Sequence, residues 1–227
     1  MKFLLKSMKY LFLTFLIVSL SSCFEIIEEV NVNNDGSGAL SYTVNLSQSR
    51  TKINSLMMLD SLNGYKIPDE NDIRLKINEV LNLIEKTEGI SNLTQKLNFQ
   101  DFVFEFSCDF ADPNALNEAT KIVKSVYEIN DPYANSDDHF TFNSSSKSFR
   151  RKGDYSGEAD LDKVKEEDLA LLKNAEFTGI YRFQSEIYSA SNTGTRISPN
   201  RKAAMMKAKV LDLMTKKQNI ENIITLK

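Results

Sequence analysis

Tryptophan is absent from this chain, histidine occurs once, cysteine twice and proline four times. Each scarcity excludes something. With His139 alone, a zinc site holding two or more histidines cannot form, and a histidine-based triad would have to use that one residue. Two cysteines, Cys23 and Cys108, allow at most one disulfide, so the fold must rest on an apolar core instead of covalent staples. Charge of either sign is not in excess: 28 basic residues face 31 acidic ones, a net charge of -3. A chain with that balance is not built to bind nucleic acid. Long apolar runs are missing too. The longest uncharged stretch, Tyr10 to Phe24, has 15 residues, short of the roughly 20 that span a bilayer as a helix.

What that stretch does carry is the layout of an export signal. Lys2, Lys6 and Lys9 form a positive leading region, Leu11 to Leu20 an apolar one, and Ser21-Ser22 a small-residue cleavage site. The flank beyond it is acidic (Glu25, Glu28, Glu29) and lacks the basic cluster of a stop-transfer segment. Leu20-Ser21-Ser22-Cys23 resembles a bacterial lipobox. The resemblance implies removal of residues 1–22 and acylation of Cys23 with fatty acids such as palmitate. A lipid-anchored chain of residues 23–227 remains, and lipidation of Cys23 leaves Cys108 without a disulfide partner. This mature chain carries 25 basic and 31 acidic residues, net -6. Phe24 follows the cysteine where an Asp resembles an inner-membrane retention signal in enteric bacteria, which points to the outer membrane.

Alternation of apolar and polar residues begins almost at the anchor, with Ile26, Val30 and Val32. Only about three residues separate Cys23 from it, a reach of roughly 10 Å at ~3.3 Å per residue. Asn33 to Gly38 is a dense turn signal, and Leu40, Tyr42, Val44 and Leu46 alternate after it; together these predict a β-hairpin. The period then shifts toward 3.6. Ile53, Leu56, Met57 and Leu59 predict a helix ending near Asn63-Gly64. Ile73, Ile77, Val80, Leu81 and Ile84 predict a longer helix after Pro68, stopped at Gly89.

A strand is expected over Leu93–Leu97, and a clearer one over Phe102, Phe104, Phe106, Cys108 and Phe110. A helix begins at Asp112-Pro113 with Leu116, Ala119, Ile122, Val123 and Val126 inward. Short strands at Phe140–Phe142 and Lys147–Arg151, a helix over Leu161–Leu172 and a strand through Phe177, Tyr181, Phe183 and Ile187 follow. Lys202 to Leu213 fits helix or strand equally. No internal repeat or long linker divides the chain. The order predicts a single α+β domain, an antiparallel sheet with helices packed on one face.

An anchor cysteine, a hairpin around Asp35-Gly36-Ser37-Gly38, helices, and a strand pair is an arrangement similar to LppM-type bacterial lipoproteins. In these the last strands carry a run like Tyr181 to Ile187, a turn like Pro199-Asn200 and a closing apolar stretch. Related Bacteroidetes lipoprotein families are similar in their Asn- and Phe-rich composition. The resemblance implies an α+β envelope domain without an obvious catalytic site.

Several constellations invite chemistry. Asn33-x-Asp35-x-Ser37-Gly38 matches the start of a calcium loop, but the position of its bidentate Glu is Val44, so the turn reading prevails. Asp137-Asp138-His139 has no spaced partner ligands. Ser144-Ser145-Ser146-Lys147 spells Ser-x-x-Lys in an expected hairpin instead of at a helix start. Cys108 shares a face with four phenylalanines, where burial raises its pKa and makes it inert. Lys147, Arg150, Arg151 and Lys152 form the densest basic patch, a candidate for contact with lipid headgroups at on the order of 1 kcal/mol per cation. Asp101, Glu105 and Asp109 share one strand face and offer carboxylates for glycan hydrolysis.

The sequence therefore favours a non-enzymatic, lipid-anchored envelope protein that binds a partner, lipid or glycan and needs no cofactor or metal. A carboxylate-dependent envelope glycan hydrolase and a structural subunit of an envelope assembly are the alternatives.

Overall fold

A computed structural model of the chain describes residues 24–62, 65–126, 138–153, 172 and 174–227. Thirteen strands among them fall into two sheets and one small hairpin, with four α-helices. The expected hairpin is β1 (Glu25–Val32) and β2 (Gly38–Asn45), paired antiparallel along their whole lengths. Its turn closes where Asn33 N–H donates to Ser37 O (2.7 Å) and Gly36 N–H to Asn33 O (3.1 Å). Gly36 has φ +91°, a conformation that glycine adopts without strain. At Gly38 a Cβ would stand 1.9 Å from the carbonyl oxygen of Asn31, so no side chain fits.

After β2 the chain makes a 3-10 turn (Ser47–Ser49), α1 (Arg50–Met57), and a hairpin of β3 (Ser61–Leu62) and β4 (Tyr65–Lys66). α1 ends at Met57; the cap expected at Asn63-Gly64 lies outside the described residues. α2 (Glu70–Ile84) opens on a capping box, with Asp72 N–H donating to the Asp69 carboxylate at 2.8 Å. β5 (Ile90–Asn98) is longer than the expected strand and shifts register between Ser91 and Thr94. β6 (Val103–Phe110) starts one residue late because Phe102 sits buried at φ +54° in the turn, its carbonyl accepting from Leu46 N–H at 2.8 Å. Asp112 caps α3 (Pro113–Val126) by accepting from Asn114 and Ala115 N–H.

The remaining elements are β7 (Phe140–Asn143), β8 (Ser148–Arg151), β9 (Glu176–Phe183), β10 (Ile187–Ala190), β11 (Arg196–Ile197), β12 (Ala203–Lys209), α4 (Val210–Met214) and β13 (Asn222–Leu226). The helix expected over Leu161–Leu172 falls almost wholly outside the described residues. The strand expected from Phe177 to Ile187 is two strands, broken at Gln184–Glu186, where the chain leaves one sheet for the other. Lys202–Leu213 is both structures in succession: Ala204, Met206 and Ala208 face inward along β12, then α4 buries Leu213.

The large sheet has the order β11-β12-β9-β1-β2-β6-β5, the small one β10-β13-β8-β7. All the pairings are antiparallel except β1 with β9, which is parallel over eight residues. The class is α+β, as expected, but the core is shared between two sheets. Helices α2 and α3 cover the inner face beside β5 and β6. The small sheet covers it beside β1, β9 and β12, with Phe149 against Tyr181 and Phe183. The outer face of the large sheet has no described element on it.

Candidate recognition surface

Period-2 geometry sorts each strand of the large sheet into two sets. Ile26, Glu28, Val30 and Val32 of β1 face the core with Phe177, Tyr181 and Phe183 of β9 and Met206 of β12. The opposite set makes the outer face. Its central rows, read across β2, β1, β9 and β12, are Thr43, Ile27, Thr178, Lys207 and Ser41, Glu29, Ile180, Met205. Ile27, Ile180 and Met205 are half-buried there. Charged residues alternate in sign around them: Arg182 pairs with Glu29 at 2.9 Å, Lys207 reaches Glu176 and Glu25 at 3.6 and 3.8 Å, and Lys96 pairs with Glu105 at 3.1 Å. This is a broad surface of mixed polar and apolar character.

Glu105 and Asp109 lie on this surface, four residues apart along β6, about 13 Å at ~3.3 Å per residue. Asp101 is in the β5–β6 turn and pairs with Arg50 at 3.2 Å. Glycosidic hydrolysis requires carboxyl groups roughly 5–9.5 Å apart. Glu105 and Asp109 are therefore spaced along the strand beyond that range. Glu105 is engaged by Lys96, and Asp109 accepts from Asn92 Nδ2 at 2.6 Å.

The basic cluster is also dispersed. Arg151 alternates in step with Phe149 and points into the core, so it is no headgroup contact. Its Nε and Nη2 donate to the two carboxylate oxygens of Glu28 at 2.9 and 3.0 Å, and Nη1 donates to Lys152 O. Tyr181 Oη donates to Glu28 at 2.9 Å, and the guanidinium lies 4.9 Å over the Phe140 ring. Glu28 and Arg151 are 2% and 5% exposed. A bidentate, additionally hydrogen-bonded pair is the form in which buried charge is tolerated. It joins the two sheets. Arg150 points the other way and pairs with Glu221 at 2.5 Å, and Lys152 is half-buried.

Lys147 sits in the β7–β8 turn at φ +46°, just past Phe142. Phe142 packs at Gly36 in the β1–β2 turn, the end of the sheet away from Phe24. The four cations thus do not share one surface.

The other candidates are placed as follows. In the would-be calcium loop, Ser37 N–H and Oγ both donate to Asp35 Oδ1 (3.0 and 2.7 Å) and hold its pKa below the usual value. Ser146 Oγ shares a 2.7 Å hydrogen bond with Ser148 Oγ, inside a turn and not at a helix start. Cys108 is buried, and desolvation, then the Asp109 charge, pushes its thiol up to about 11. Asp137 lies outside the described residues, and His139 is half-buried beside β7, its carbonyl accepting from Lys152 N–H at 2.8 Å. Among the described residues no group of His, Cys, Asp or Glu is placed to hold a metal ion, and no helix is long and apolar enough to cross a membrane.

No protein-family model matches the chain, and no curated protein matches it. Among solved structures it is similar to the folded domain of the Mycobacterium tuberculosis LppM protein, determined by NMR. Identity is 10%, the match covers 90% of this chain and 89% of that one, and the TM-score is 0.43. At that level the similarity transfers no site and no activity.

At the other end of the sheet from Lys147, the chain enters the fold. Cys23 itself is outside the described residues, but Phe24 is already engaged: its carbonyl accepts from Glu176 N–H at 2.9 Å, and β1 begins at the next residue. The entry end is a straight row across four strands, Glu25, Asn45, Val103 and Asn98. The sequence placed the first strand about three residues after Cys23, and β1 begins at Glu25. The Glu28–Arg151 joint was missed, although both residues sit in apolar-face register on their strands.

Proposed function

We propose that this is a lipid-anchored protein of the bacterial cell envelope, acting by recognition and not by catalysis. It would be held by acyl chains on Cys23 and meet a protein, lipid or glycan at the membrane surface through the outer face of its large sheet. The observation that carries this reading is the hydrogen bond between Phe24 O and Glu176 N–H. It leaves no slack between the lipobox cysteine and a sheet strand, so one end of the domain is fixed at the lipid surface. Each buried acyl CH₂ contributes about 0.8 kcal/mol, so several chains make release negligible. Phe24 in place of Asp favours the outer membrane; the domain then faces the periplasm or the cell surface.

The test has two parts. The mature N-terminal peptide should carry a diacylglyceryl mass on Cys23, and Cys23→Ala should leave the chain unprocessed. Cross-linking in intact cells, with photoreactive residues at Ile27, Ile180 or Met205, should then capture a discrete partner that the same probe at Tyr188 does not. An unmodified Cys23 sinks the anchor, and identical capture from both faces sinks the assignment of the outer sheet face.

A further inference from the structure

α1 is an eight-residue helix with no buried residue, and its Ser49 N-cap makes no side-chain cap. Its apolar residues Ile53, Leu56 and Met57 are only half-covered, Met58 after it is 84% exposed, and Leu59 45% exposed. A short helix with no fully buried residue gains little from its own domain. From Arg50 to Leu59 there are two cations, Arg50 and Lys52, and no acid. Apolar residues beside cations are the composition of interfacial helices.

Topology decides what this segment faces. β2 ends at Asn45, in the entry-end row with Glu25. α2 starts back from that same end: the Arg74 guanidinium lies 4.5 Å over the ring of Phe99 in the β5–β6 turn, and Asn78 accepts from Gln95 further along. Residues 46–69 therefore leave and rejoin the sheet at the end where Phe24 enters. Leu75, 70% exposed on the second turn of α2, belongs to the same end. Local charges are neutralised within the domain, Arg50 by Asp101, Lys66 by Asp72 and Arg74 by Glu70.

We propose that α1 and the Met58-Leu59 tip, with Leu75, form a second membrane contact that enters the lipid leaflet beside the Cys23 acyl chains. This rests on the anchor assigned above. One peptide step separates Cys23 from Phe24, about 3.8 Å between Cα atoms, so the entry end has no other surface to meet first. The acyl chains localise the domain; the apolar tip sets its orientation and directs the outer sheet face along the membrane. The occupant is lipid, and a protein bound at the tip is the competing outcome that the test separates.

The chain has no tryptophan, so one introduced residue reports alone. The full acylated chain, reconstituted in phosphatidylethanolamine–phosphatidylglycerol vesicles, is compared as Met58→Trp, Leu75→Trp and Tyr188→Trp. Tyr188 is 68% exposed on β10, just past the connection that meets the β1–β2 turn, and serves as the distant control. All three positions are exposed, so the substitutions leave the fold intact. Brominated acyl chains should quench Met58→Trp or Leu75→Trp severalfold more than Tyr188→Trp, with emission shifted to the blue. Quenching of neither above the control level overturns the docking proposal, including the case where the tip binds a protein. The mass of the N-terminal peptide is read on the same samples: an unmodified Cys23 overturns the anchor and this proposal together, whereas an acylated chain without quenching overturns only the docking.

Discussion

From the Glu28–Arg151 pair to the β1–β2 turn, polar groups of distant segments are tied to one another. Over α1 and its tip, Met58 and Leu59 stand in solvent and Ile53, Leu56 and Met57 are only half-buried. In the first region Gln184 Nε2 donates to Asn33 Oδ1 at 2.8 Å and Ser185 Oγ to Asn34 Oδ1 at 2.9 Å, fixing the β9–β10 connection to the hairpin. Asn117 on α3 holds both backbone groups of Phe140, accepting from its N–H (3.0 Å) and donating to its C=O (2.9 Å), as a neighbouring strand would. Asn222, fully buried, accepts from Asn192 N–H and donates to Thr195 Oγ1. In the second region α1 has no fully buried residue. The difference separates an end held together by side-chain hydrogen bonds from one whose short helix adds little to the core.

The sharpest way to break this contrast is Arg151→Ala. It strands the Glu28 carboxylate between the sheets, and loss of one partner of a buried pair costs about 3–5 kcal/mol. The unfolding free energy from urea titration should fall by that much. Replacing the trio together, Glu28→Leu with Arg151→Met and Tyr181→Phe, should recover most of it, because no charge or hydroxyl is then left unpaired. If Arg151→Ala costs under 1 kcal/mol by the same measurement, the pair does not join the sheets.

Asn117→Ala comes next. It leaves a buried N–H and a buried C=O on the edge strand β7 without their partner, worth about 2–4 kcal/mol in total. Hydrogen exchange at Phe140 should accelerate with the loss of stability, while exchange along β2 and β6 should follow only the global change. Cys108 gives a smaller effect that depends on pH. Its thiol ionises near 9 in an unfolded chain and about 11 in the fold, so between those values the unfolded state holds fewer protons. Stability should therefore be unaffected below pH 9 and fall by about 2–3 kcal/mol as pH rises to 11. Unfolding curves of Cys108→Ala should lack that part of the slope.

How much of this was legible in the sequence follows from how local each signal is. The β1–β2 hairpin is written twice within 21 residues, in the alternation of both strands and in the Asn33–Gly38 turn, and it forms as read. α2 and α3 carry their caps in Asp69 and Asp112. The parallel pairing of β1 with β9 joins residues 151 positions apart (Glu25 with Glu176), and nothing local states it. The second sheet was hidden for the same reason: β8, β10 and β13 are short and find one another only in three dimensions. Arg151 is the instructive miss. Its period-2 step from Phe149 placed it inward, but within the run Arg150-Arg151-Lys152 it read as surface charge. Buried charge is readable only as a pair, and Glu28 lies 123 residues away. For the entry end, the helix of Ile53, Leu56 and Met57 was legible in its spacing, yet not that it would have no fully buried residue.

The smallest expected effect tests the contrast from its other side. Met58→Ser removes a large apolar side chain that is 84% exposed, and exposed substitutions away from caps and pairs stay within about 0.5 kcal/mol. The urea midpoint should therefore be unchanged within error, although the same substitution at a core methionine would cost several times more. The comparison depends on this null result as much as on the loss at Arg151. If Met58→Ser destabilised the chain by more than about 1 kcal/mol, the tip would have to pack against the domain in solution. Residues 46–69 would then be a second core element, and their apolar side chains would owe nothing to the membrane.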